Sequence, residues 1–127
     1  MLKLIDFKLY PLDIYLHIGK DIDETLNQFT SDITKLQYKY NWDTCEAAVH
    51  YDIFHTESNR HAIVIAFEDI PTTNLIVHEI VHATYRIYNH IGQKNYGDES
   101  HAYLSEFIAT EIETFINEYK LVQDDNI

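Results

Sequence analysis

The run His61-Ala62-Ile63-Val64-Ile65-Ala66-Phe67 constrains the fold of this chain most. Successive side chains of a strand point to opposite faces, and here both faces are apolar: Ile63, Ile65 and Phe67 against Ala62, Val64 and Ala66. A strand of this kind needs cover on both sides, so it predicts a sheet with other elements packed over each face. Ala47 to Phe54 reads as its neighbour, joined to it through the polar turn Thr56–Arg60 as a hairpin. Near the start of the chain, Lys3 to Tyr10 alternates with Ile5, Phe7 and Leu9 on one face. Pro11 interrupts the pattern, and Ile14, Leu16 and Ile18, alternating with Tyr15 and His17, give another strand that ends near Gly19.

Three segments carry helical spacing instead. Asp21 and Glu24 resemble a capping box, and Ile22, Leu26, Phe29, Ile33, Leu36 and Tyr40 follow as one apolar stripe, predicting a helix from Asp21 to about Tyr40. Pro71, Thr72 and Thr73 open a second helix with the stripe Val77, Ile80, Thr84, Ile87 and Ile91, closed by Gly92. Asp98 caps a third that runs to about Tyr119 on Leu104, Phe107, Ile108, Ile112, Phe115, Ile116 and Tyr119. The tail from Val122 is polar and is expected to fray. The order is strand, strand, helix, strand, strand, helix, helix: one α+β domain over residues 1–127, with about four strands against three helices.

Composition removes several function classes. With 127 residues, 46% of them hydrophobic, the chain can bury a core without cross-links. A formal charge of -12 repels phosphate backbones, so nucleic acid is not the expected partner. Cys45 is the single cysteine, which excludes an internal disulfide and favours a reducing compartment. The start of the chain lacks a signal-peptide core and no apolar run is long enough to span a bilayer, so the expected setting is the cytoplasm, away from membranes.

The second helix carries the chemistry. His78-Glu79-Ile80-Val81-His82 is an HExxH motif, and residues four apart on a helix stand on one face, one turn apart. Two imidazoles so placed can offer nitrogens to one metal, Zn2+ by preference, while Glu79 can take a proton from a metal-bound water. A catalytic zinc asks for a third protein ligand. His90 lies eight residues beyond His82, about 12 Å along the helix, too far to share the metal. Glu99, in the first turn of the third helix, is the expected third ligand, with His101 the runner-up. Tyr85 and Tyr103 are candidates for stabilising the oxyanion, and Glu106 for orienting a ligand histidine. A strand of the sheet is expected to hold extended substrate by backbone hydrogen bonds.

The segments His78-Glu79-Ile80-Val81-His82-Ala83 and Asp98-Glu99-Ser100-His101-Ala102-Tyr103-Leu104 resemble those of small zincin-like proteins encoded by bacteriophages and mobile elements. Ile14 to Lys20 is similar to the first strands of that group. A more distant similarity is to gluzincin-type proteases that cleave phage repressors, although Tyr103-Leu104-Ser105 stands where their Asn-x-Phe-Ala continuation would be. The resemblance implies a minimal zincin fold, places Glu99 at the third zinc ligand, and makes the expected activity zinc-dependent peptide hydrolysis, in a host cytoplasm if the chain is phage-encoded. A non-catalytic zinc-stabilised module binding a host or phage protein is the alternative. A metal-free interaction domain comes third.

Overall fold

The computed structural model describes residues 1–7, 11–41, 46–92 and 97–125. In chain order the elements are β1 (Leu2–Ile5), β2 (Asp13–Ile18), α1 (Ile22–Leu26), β3 (Phe29–Ser31), β4 (Ala47–His55), β5 (His61–Phe67), α2 (Thr73–His90) and α3 (Asp98–Asp125). The class is α+β, with a five-stranded mixed sheet in the order β1-β2-β5-β4-β3. Among the described strands only β2 and β5 run parallel, Ile14 opposite Ile63 and Ile18 opposite Phe67. The other neighbours pair antiparallel.

The two-sided apolar strand β5 lies at the centre, as its sequence requires. Ile63, Ile65 and Phe67, with Ile14, Leu16 and Ile18 of β2, face a core closed by Ile80, Ala83 and Ile87 of α2 and by Ile108, Ile112 and Phe115 of α3. The opposite face, Ala62, Val64 and Ala66 with Tyr15, packs on Ile22 and Leu26 of α1 and on Phe29. Each fully buried Ile or Phe of this kind contributes about 1.5–3 kcal/mol relative to exposure.

The expected helix from Asp21 to Tyr40 is the main correction. Helix α1 stops at Leu26, and β3 begins at Phe29. Of the supposed stripe, Ile22, Leu26 and Phe29 are buried, whereas Ile33 and Leu36 are 76% and 70% exposed. Pairing decides the outcome: Phe29 opposes His55 and Ser31 opposes Ile53 on β4. The Ser31 hydroxyl oxygen then accepts the amides of Ile33 and Thr34, closing a turn that competes with helix. Lys35, at φ 62, completes the break. Strand β1 ends at Ile5, short of the expected Tyr10; residues 8–10 lie outside the described residues, as does Cys45. Helix α3 continues through Val122 to Asp125 instead of fraying.

Helix α2 begins and ends as its sequence predicts. Thr72 is extended, and its hydroxyl oxygen accepts the amide of Leu75 at 3.3 Å. Gly92 follows the helix with φ 75, a left-handed conformation that suits glycine. Its buried stripe differs at the first position: Val77 is 55% exposed, and Ile80, Ala83, Thr84, Ile87 and Tyr88 face inward. Helix α3 packs back along α2, with the hydroxyls of Tyr88 and Ser100 2.8 Å apart. Among the described residues no helix is long and apolar enough to cross a membrane.

One sheet irregularity shapes what lies beside α2. The register of β4 against β5 shifts between His50 and Ile53, and Asp52 sits at φ 54. Strand β3 reaches only Ile53–His55, so among the described strands Ala47–His50 pairs with β5 alone.

Candidate metal centre

The i, i+4 spacing works as the sequence predicts. His78 and His82 are both exposed on the outer flank of α2, with Nε2 atoms 3.2 Å apart and ring centroids 4.8 Å apart. Two nitrogens held at about 2.0–2.1 Å by one tetrahedral metal stand about 3.3–3.4 Å apart, so the pair already has the separation of two ligands. Without a cation, that contact is a hydrogen bond in which one ring donates N–H to the other.

Glu79 is only 4% exposed and lines the same groove as the two histidines, beside β4. Its Oε2 has no hydrogen-bond partner among the described residues. Burial raises its pKa above the ordinary carboxylate value, and His78 and His82 pull in the opposite direction. A buried carboxyl oxygen left unpaired costs about 1–3 kcal/mol or more, and core packing does not account for keeping one there. A carboxyl beside two converging imidazoles is placed to exchange a proton with a water held by them.

These three side chains open onto a groove of about 270 Å³ between α2 and β4. Ala47 and Val49 of β4 pack toward the α2 face of the sheet, and Tyr51 continues that face at the next alternate position. Arg86, one turn beyond His82 on the same row of α2, also lines the groove, with its guanidinium carbon 3.5 Å from the centre of the Tyr51 ring. Tyr40 completes the wall. A larger cavity of about 950 Å³ lies elsewhere, between β1 and the β4–β5 turn. Its Arg60 is clamped by both carboxylate oxygens of Asp13 at 2.9 Å, and neither His78 nor His82 lines it.

The downstream candidates do not join the pair. Glu99 is exposed in the first turn of α3, nine residues before Ile108 and therefore about half a turn round the helix from that core residue. Among the described residues no three His, Cys, Asp or Glu side chains gather closely enough to hold a metal. His101 points into the α2–α3 contact, where the Thr84 hydroxyl donates to the Val81 carbonyl and receives the His101 Nε2–H at 3.2 Å. Tyr85 and Tyr103 are 56% and 68% exposed, and neither lines the groove; Glu106 is exposed as well. Arg86 and Tyr51 went unread in the sequence. The first had a usable signal, being the third member of the row His78, His82, Arg86. The second had one too, being the next alternate position after Ala47 and Val49 on β4. Protein families, curated proteins and solved structures contain no match to this chain.

Proposed function

We propose that the chain is a metal-dependent peptide hydrolase whose metal, zinc by preference, is held by His78 and His82, with Glu79 as general base. One observation carries this: two imidazole nitrogens 3.2 Å apart stand beside a buried carboxyl that has an unpartnered oxygen. A zinc ion there would supply Lewis acidity and bring the pKa of its water toward about 7. The remaining work falls to the chain. Glu79 accepts the proton of the attacking water at its carboxylate and holds it for the leaving amine. A strand of the sheet holds the extended peptide by backbone hydrogen bonds. Glu99 enters the proposal as the third protein donor, although in this structure it stands on the outer face of α3. The proposed setting is cytoplasmic, with a peptide or protein as substrate and neither nucleic acid nor membrane as partner.

The two-donor geometry supports a second reading, a non-catalytic module in which the metal serves stability and the groove only binds. Digestion of a peptide library by the zinc-loaded chain, read by mass spectrometry, separates the two. Cleavage that disappears in Glu79→Gln while metal is retained supports the hydrolase. Undiminished cleavage in that variant removes Glu79 as base, and bound metal without cleavage by the parent leaves the binding module.

A further inference from the structure

The two arginines of this chain are treated very differently. Arg60 is neutralised by Asp13 through two hydrogen bonds of 2.9 Å. Arg86 forms neither a hydrogen bond nor an ion pair among the described residues; its contacts are the ring faces of Tyr51 at 3.5 Å and Tyr85 at 5.3 Å. Scarcity of acid is not the reason, since the chain has 21 carboxylate residues against 9 Lys and Arg. Glu79 lines the same groove, yet its Oε2 stays unpartnered instead of reaching the guanidinium.

We infer that Arg86 is the receptor for a carboxylate on the substrate, so that the groove takes peptides presenting either a free C-terminus or an Asp or Glu side chain. This deepens the peptide-hydrolase reading and rests on it. Stacking on Tyr51 fixes the guanidinium plane while leaving its N–H edge available, the arrangement that meets a carboxylate through two parallel hydrogen bonds. Position adds a register. Arg86 is four residues beyond His82, about 6 Å along the helix, and that rise matches about two residues of extended peptide. A carboxylate seated on Arg86 therefore places a peptide bond about two residues away at the histidine pair. The net charge of the chain gives long-range attraction for cations, so this preference for an anion comes from one local, preoriented group.

The test is equilibrium binding of three synthetic tripeptides to the zinc-loaded chain, followed by NMR: acetyl-Ala-Ala-Leu as the free acid, the same peptide as its C-terminal amide, and acetyl-Ala-Glu-Leu amide. The Glu79→Gln background is used for any probe the parent cleaves. At least one acidic probe is expected to bind about tenfold or more tightly than the neutral amide, as a charge-assisted pair predicts, and to shift the Arg86 Nε–H and Tyr51 resonances. Which acidic probe gains identifies the source of the carboxylate. Arg86→Gln removes the advantage and Arg86→Lys keeps part of it. Equal binding of all three probes, or an advantage that survives in Arg86→Gln, overturns the inference. If Arg86→Gln melts at room temperature, the acid–amide comparison in the parent and the Arg86→Lys variant decide. Acid preference without cleavage of any peptide leaves the receptor standing and removes the hydrolase; cleavage without acid preference does the reverse.

Discussion

Mild acid should destabilise this protein through one buried histidine. His50 is fully buried on β4, with Nδ1 3.0 Å from the Tyr38 hydroxyl and the Tyr40 ring edge-on at 4.7 Å. Burial, reinforced by repulsion from the second buried imidazole, His17, pushes its pKa down from 6.5 to about 4. The folded protein keeps His50 neutral, while the unfolded chain protonates it near pH 6.5. Between these values the unfolded state binds more protons, so the contribution is fully present above about pH 6.5 and is lost as pH falls toward 4. From pH 7.5 to pH 5.0 this one group removes about 2 kcal/mol, a large share of the usual stability of a domain. The pKa of His17 is lowered as well, chiefly by burial, and acts in the same direction. Glu79, whose pKa is raised, acts in the opposite one. Urea unfolding of the parent and of His50→Leu at both pH values isolates the effect. The variant is expected to lose about 2 kcal/mol less than the parent over that interval. Equal losses would show that the buried imidazole does not control the acid limb.

Two further outcomes test the scaffold around the site. Gly19 has φ 138, a Cβ there would lie 2.6 Å from Asp21 Oδ1, and its carbonyl receives the His17 Nε2–H at 3.0 Å; Gly19→Ala is expected to cost about 1–3 kcal/mol in thermal or urea unfolding, and a neutral result would refute the strain. Thr72→Ala removes the oxygen that caps α2 and is expected to cost about 1 kcal/mol by the same measurement, with faster amide exchange in the first turn of the helix.

The sequence contained much of this architecture because several segments obey one local rule without competition. The strand His61–Phe67 is apolar on both faces, and no other arrangement serves it. Helix α2 has its Thr cap, its Gly stop and an unbroken periodic stripe, so the HExxH residues stand where spacing puts them. The segment after Leu26 shows what the pattern could not convey. Its apolar residues fit a helical period, but Phe29 gains more from burial opposite His55 than α1 gains from another turn, and long-range pairing of this sort leaves no local trace. The same limit governs the site. The pair on one helix was legible from spacing alone. The third donor depends on how α3 is rotated, and Glu99, chosen for its place in the first turn, falls on the face away from the α3 core. The bulge at Asp52, after which Ile53 packs on the opposite face of the sheet from Ala47 and Val49, was announced by no residue pattern.

The central claim is that His78 and His82 hold one metal beside Glu79. Native mass spectrometry of the intact chain after exposure to equimolar zinc, with elemental analysis of the same sample, tests this most directly. The account predicts one zinc per chain in the parent and in Glu79→Gln, and none in the His78→Ala and His82→Ala variants. A parent chain that remains metal-free, or histidine variants that retain their zinc, would contradict it.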